Sequence, residues 1–144
     1  MTSVSFHFNV DDRLNYSCRL VRKAAATGTT LVVIGPDDIL TQFDRDLWTF
    51  SSTEFVPHCQ TDDAVSRVQR SSVVLCKSLN NVEARAVLIN LDEAVPEGFE
   101  AFDRVIEVVS ADPVVRWHAR QRWKHYSRTG LELIQHDLSQ RTAP

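Results

Sequence analysis

Val4, Phe6, Phe8 and Val10 alternate with polar residues from Ser3 to Val10 and predict an opening strand with these four side chains on one face. The apolar period then lengthens. Leu14, Cys18, Val21 and Ala25 fall on one helical stripe, with Asp11-Asp12 positioned to cap its start and Gly28 to stop it. Thr29 to Ile34 is a β-branched run suited to a strand buried on both faces, and Gly35-Pro36-Asp37-Asp38 turns it into a second helix. That helix carries Ile39, Leu40, Phe43 and Leu47 on its stripe and ends near Trp48 to Ser52. Further strands are expected at Ser72 to Cys76 and Ala86 to Leu91, and a last one at Arg104 to Val109. Asp112-Pro113 then opens a long helix that runs to about Thr129, where Gly130 stops it.

Strands alternating with helices require crossover connections, and right-handed crossovers on both faces give a three-layer α/β fold with a largely parallel sheet and a long basic C-terminal helix. Residues 1–138 are expected to form a single domain and 139–144 a frayed tail, with Cys59 to Arg70 as a polar, irregular stretch. At 144 residues and 43% hydrophobic content the chain suits one core. The longest apolar runs, such as Leu31 to Ile34, fall far short of the ~20 residues that cross a bilayer. No membrane span is expected, nor a secretion signal in MTSVSFHFNV, and the scattered Cys18, Cys59 and Cys76 read as reduced thiols, so the expected location is the cytoplasm.

The chain holds four glycines, none within two residues of another, so neither a G-x-G-x-x-G loop nor a P-loop can be built and no cofactor is expected. His58 and Cys59 are adjacent and would point to opposite sides of an extended chain, which removes the one visible nucleophile and base. The remaining histidines show no zinc spacing; no metal and no catalytic residue are expected.

Two features call for a partner. Arg116, Arg120, Lys124 and Arg128 recur every four residues of the last helix, drifting only ~40° per step, and form one basic stripe. From Ala111 to Gly130 there are five basic residues and one acid, +4 inside a chain whose formal charge is -3. Val115, Ala119 and Tyr126 lie on the opposite face, with Trp123 at the border. The stripe is a solvated face, a site for single-stranded nucleic acid, or a site for an acidic peptide with an apolar end. The second feature is Leu47-Trp48-Thr49-Phe50 followed by Phe55-Val56-Pro57-His58, where aromatic area accumulates beyond a helix end and either packs into the core, the commoner outcome, or forms an exposed apolar patch that receives another protein. From Asp37 to Asp63 the chain has seven acids and one base, which excludes this segment as a DNA-binding face.

Leu47-Trp48, Phe55-Val56-Pro57-His58, the strand Val87-Leu88-Ile89-Asn90-Leu91 and Ala119-Arg120-Gln121-Arg122-Trp123-Lys124-His125-Tyr126 with Gly130 resemble, in order and spacing, the chi subunit family of bacterial DNA polymerase III. The resemblance implies a non-catalytic, Rossmann-like bridge in DNA replication. It would join the clamp loader, through the psi subunit, to the acidic C-terminal tail of single-stranded-DNA-binding protein, touching DNA only indirectly. Matched by motif, Arg120, Trp123, Lys124 and Tyr126 would bind the tail, with Arg116, Arg128 and Val115 beside them; Ser127 stands where the family has a basic residue, and Arg128 is next along. Trp48 and Phe55, with Val56 and Pro57, would receive psi or a helicase-like partner on the same surface. The alternative from the residues alone is a module that places the basic helix directly on single-stranded nucleic acid.

Overall fold

The computed structural model describes residues 2–49, 58–60, 73–79, 82 and 86–138. Among the described residues seven strands form one sheet: β1 (Ser3–Val10), β2 (Leu31–Ile34), β3 (His58–Gln60), β4 (Val73–Cys76), β5 (Val87–Asn90), β6 (Arg104–Ser110) and β7 (Glu132–Asp137). Their order is β3-β4-β2-β5-β6-β1-β7, and every pairing is parallel. Among the described residues three helices, α1 (Arg13–Ala26), α2 (Asp37–Thr49) and α3 (Pro113–Arg128), cover it, with one 3-10 turn at Phe99–Ala101.

Alternation along the central strands builds the layers. Leu31 and Val33 of β2 face α1 and α2, where they meet Cys18, Val21, Leu40, Phe43 and Leu47, while Val32 and Ile34 face the other way. The second core gathers Val74, Leu88, Val105, Phe99 and Phe102 under Ala119 and Tyr126 of α3. The expected three-layer, parallel α/β architecture is what forms.

Asp12 caps α1 by accepting from the Asn15 backbone N–H at 3.0 Å, and Asp112 caps α3 by accepting from Val114 and Val115 at 2.9 and 3.2 Å, with Pro113 in the first turn. Gly130, at φ 74°, ends the α3 segment in the left-handed region that glycine occupies without strain.

Three expectations are corrected. Val10 does not share a face with Val4, Phe6 and Phe8. Asn9 has φ 61°, the β1–β6 register shifts between His7 and Val10, and this bulge turns Val10 into the α1/α2 core while the other three face α3. Arg104 to Ser110 is not the last strand, and α3 is not C-terminal, because β7 follows it and pairs with β1 along Ser3–Phe8. Cys59 and Gln60 are not irregular, since His58–Gln60 pairs with β4 as an edge strand. Residues 61–70, and the tail 139–144, lie outside the described residues.

Cys18 and Cys76 are free, buried thiols, and burial pushes both up to about 12. A thiol raised this far stays protonated in the native protein at every pH below about 12, whereas the unfolded thiol ionises near 9. Its contribution to stability is therefore intact below pH 9 and declines as the pH rises from there. Modification of both cysteines by a disulfide reagent at pH 8, mapped by peptide mass spectrometry, should be negligible in native buffer and complete in denaturant.

Candidate functional site

A pocket of about 290 Å³ opens where α3 crosses the sheet. Its lining is Phe6 and Phe8 from β1, Val109 from β6, Gln135 from β7, and Arg116, Ala119, Arg120 and Trp123 from α3. The strands supply an apolar floor because Phe6, Phe8 and Val109 all point to the α3 side, the last through plain alternation in β6 and the first two upstream of the Asn9 bulge. Trp123 stands edge-on to Phe6 with ring centroids 5.0 Å apart. Arg116 and Arg120, one helical turn apart and both exposed, place two guanidiniums on the rim.

The pocket keeps its shape because α3 is pinned by a buried polar network. Glu107 in β6 has no exposed surface, and its Oε1 accepts from Arg122 Nε at 2.9 Å. Its Oε2 accepts from the Tyr126 hydroxyl at 2.7 Å and from Asn90 Nδ2 at 2.8 Å. Arg122 Nη1 also donates to the Glu93 carbonyl at 2.9 Å. Burial, and after it the Glu107 carboxylate, push the Tyr126 phenol well above its ordinary value, so it remains a neutral donor. A paired, fully hydrogen-bonded carboxylate is the form in which such a charge is tolerated inside a protein.

The expected site residues therefore divide. Arg116, Arg120 and Trp123 come together at the pocket. Lys124 and Arg128 are exposed and continue the basic row toward the end of α3. Tyr126 is corrected: it is fully buried against Phe6 and Phe99 and spends its hydroxyl on Glu107, so its side chain positions the helix and is out of reach of a ligand. Val115 packs half-buried on the second core, and Val109 and Ala119 supply the apolar wall of the pocket. Phe55, Val56 and Pro57 lie outside the described residues, and of Trp48 only its place in the last turns of α2 is described. Phe6, Phe8, Val109, Ala119 and Gln135 are pocket residues that sequence reasoning missed. Among the described residues no group of three His, Cys, Asp or Glu could hold a metal ion, and no helix is long and apolar enough to cross a membrane.

The family model "DNA polymerase III chi subunit, HolC" matches residues 1–134. The chain belongs to the chi family. Membership makes it a replication accessory subunit of DNA polymerase III. DNA polymerase III subunit chi of Pseudomonas aeruginosa is 29% identical over 143 residues, covering 96% of this chain and 98% of the relative. The subunit chi of Haemophilus influenzae is 28% identical over 92 residues, 64% of this chain and 63% of that one. Among solved structures, T4 UvsW superposes on 94% of this chain with TM-score 0.65 at 6% identity, this chain spanning 41% of its length. The C-terminal domain of the DEAD-box protein Dbp5 superposes on 96% of this chain, and on 91% of its own, with TM-score 0.62 at 9% identity. At such identities these two likenesses show the α/β fold that the chi family shares with them, and nothing of function.

Replacing Glu107 by Ala leaves the Arg122 guanidinium buried without its counter-ion and should cost ~3–5 kcal/mol. Tyr126→Phe removes one hydrogen bond to a charged acceptor and should cost ~1.5–3 kcal/mol. Urea unfolding of the two variants beside wild type checks both values and their order.

Proposed function

We propose that the pocket under α3 binds the acidic C-terminal tail of single-stranded-DNA-binding protein, and that the protein is a non-catalytic bridge from that tail to the clamp loader through psi. The observation that carries this reading is the junction of an apolar cavity with two guanidiniums on its rim. A cavity of about 290 Å³ holds one large side chain. A peptide ending in an apolar residue would place that side chain against Phe6, Phe8, Val109 and Trp123. Its free carboxylate would then meet Arg120 and Arg116, in the bidentate geometry that guanidinium groups favour. The preceding acids would lie over the exposed basic row, whose contacts are weak singly and sensitive to salt.

For psi, the support is family membership together with the aromatic, acidic segment around Trp48, Phe55, Val56 and Pro57, a surface on which a helix-bearing or helicase-like partner could also dock. The fold would serve as a rigid spacer between two sites in a single cytoplasmic domain comprising residues 1–138, and DNA would be approached through the coated strand.

Titration calorimetry with an acidic peptide ending in Phe should show saturable binding that weakens as salt rises. Arg120→Ala should weaken it by ~1–3 kcal/mol with circular dichroism unchanged. Amidating the peptide's terminus should cause a comparable loss. Equal binding by the free acid and the amide would overturn the reading.

Phe55→Ala should abolish capture of psi while peptide affinity stays at the wild-type value, since the two sites are separate in the sequence and only one uses α3. Pull-down of psi and calorimetry on the same preparation measure both; loss of the two activities together would make Phe55 a structural residue. A bare oligonucleotide at ~0.15 M salt should bind weakly or not at all, and tight binding removed by Arg116→Ala and Lys124→Ala would favour the nucleic-acid module instead.

A further inference from the structure

Two large apolar side chains remain outside both the cores and the pocket. Val114 and Trp117, in the first turns of α3, are 63% and 55% exposed, and they are the exposed large hydrophobic residues among those described. The buried positions of α3 are Ala119, Arg122 and Tyr126, on a different face, so packing does not explain an indole here.

Its surroundings are specific. At ~100° per residue Trp117 lies ~100° around the helix from Arg116 and ~60° from Arg120, but only ~20° from Lys124 and from Arg128, so the indole is set within the basic row. Its ring meets His118 edge-on with centroids 5.0 Å apart, and His118 Nε2 stands 3.8 Å from the Glu93 carboxylate. The indole is thus flanked by cations toward the pocket and by the His118–Glu93 pair on the far side.

We propose that Trp117, with Val114, forms a second apolar subsite for the same acidic peptide, receiving an apolar side chain upstream of the terminal residue. This rests on the pocket reading above. A helix with its side chains is ~10–12 Å across, so 100° of its surface spans ~10 Å, a distance that an extended peptide covers in about three residues. The intervening residues cross Arg116 and Arg120, which favours acids there. The ligand is accordingly bipartite: an apolar residue, a short acidic run, and an apolar C-terminal residue with a free carboxylate. The second contact fixes the direction in which the chain leaves the pocket, a choice that exposed cations alone cannot make. Single-stranded nucleic acid could also stack on an indole among cations. Continuity with an apolar pocket sized for one side chain favours the peptide.

The test uses two peptides with the same last three residues, two acids and a terminal Phe, one stopping there and one extended by an upstream Leu, each titrated against the wild-type chain and its W117A, W117F and R120A variants. W117A should weaken the long peptide about fivefold to tenfold and leave the short one unchanged, while W117F retains most of the affinity. Replacing the upstream Leu by Asp should make W117A silent. R120A should weaken both peptides, which separates the pocket from the new subsite. Unchanged affinity of W117A for the long peptide, beside normal R120A losses, overturns this inference and leaves the pocket reading intact. Failure of both peptides to bind the wild type overturns the two together. A bare thymidine oligonucleotide whose binding is lost in W117A, with both peptides unaffected, would assign the indole to nucleic acid and overturn the subsite.

Discussion

Glu107 is the constraint around which the functional half of the molecule is organised. A carboxylate in the middle of a sheet is destabilising unless its charge is compensated, and here the compensation comes from α3 through Arg122 and Tyr126, with Asn90 completing the set from the neighbouring strand. Apolar packing under a helix tolerates some sliding and rotation; a guanidinium and a phenol meeting the two oxygens of one carboxylate do not. Because Arg122 and Tyr126 are one turn apart on one face, fixing them fixes the rotation of the whole helix. Arg116, Arg120 and Trp123 are thereby held over the floor made by Phe6, Phe8 and Val109.

This arrangement explains how a basic helix coexists with an acidic chain. Of the five basic residues of α3, Arg122 is neutralised inside by Glu107, and the other four are exposed. The outward row keeps a local positive field while the total stays at -3.

Much of the fold was legible in the sequence. Hydrophobic period, paired aspartates at helix starts and glycines after helix ends identified β1, α1, β2, α2, β4, β5, β6 and α3, and the alternation of types implied the parallel sheet. The basic row was legible for the same reason: a period of four survives as a stripe on any helix. What escaped the sequence was long-range or half-exposed. β7 reads as polar because an edge strand carries Glu132, Gln135 and His136 at exposed positions, with Leu133 on its packed face and Leu131 just before it. The switch at Asn9 is one residue in a left-handed conformation that asparagine tolerates, and no period announces it. Tyr126 and Val115 share a helix with the pocket-lining Arg116, Arg120 and Trp123, yet which side of a helix faces a pocket depends on strands distant in sequence.

The position of β7 has a consequence for synthesis. Gln135 forms part of the pocket wall, and β7 flanks β1, the strand that supplies Phe6 and Phe8. The first and last strands of the described chain are thus neighbours in the sheet, separated by nearly its whole length. A ribosome-bound chain that has exposed α3 but not yet β7 would carry the basic row on an unfinished scaffold, with one side of β1 open. The pocket wall is therefore complete only once β7 has joined β1, the last described strand closing against the first.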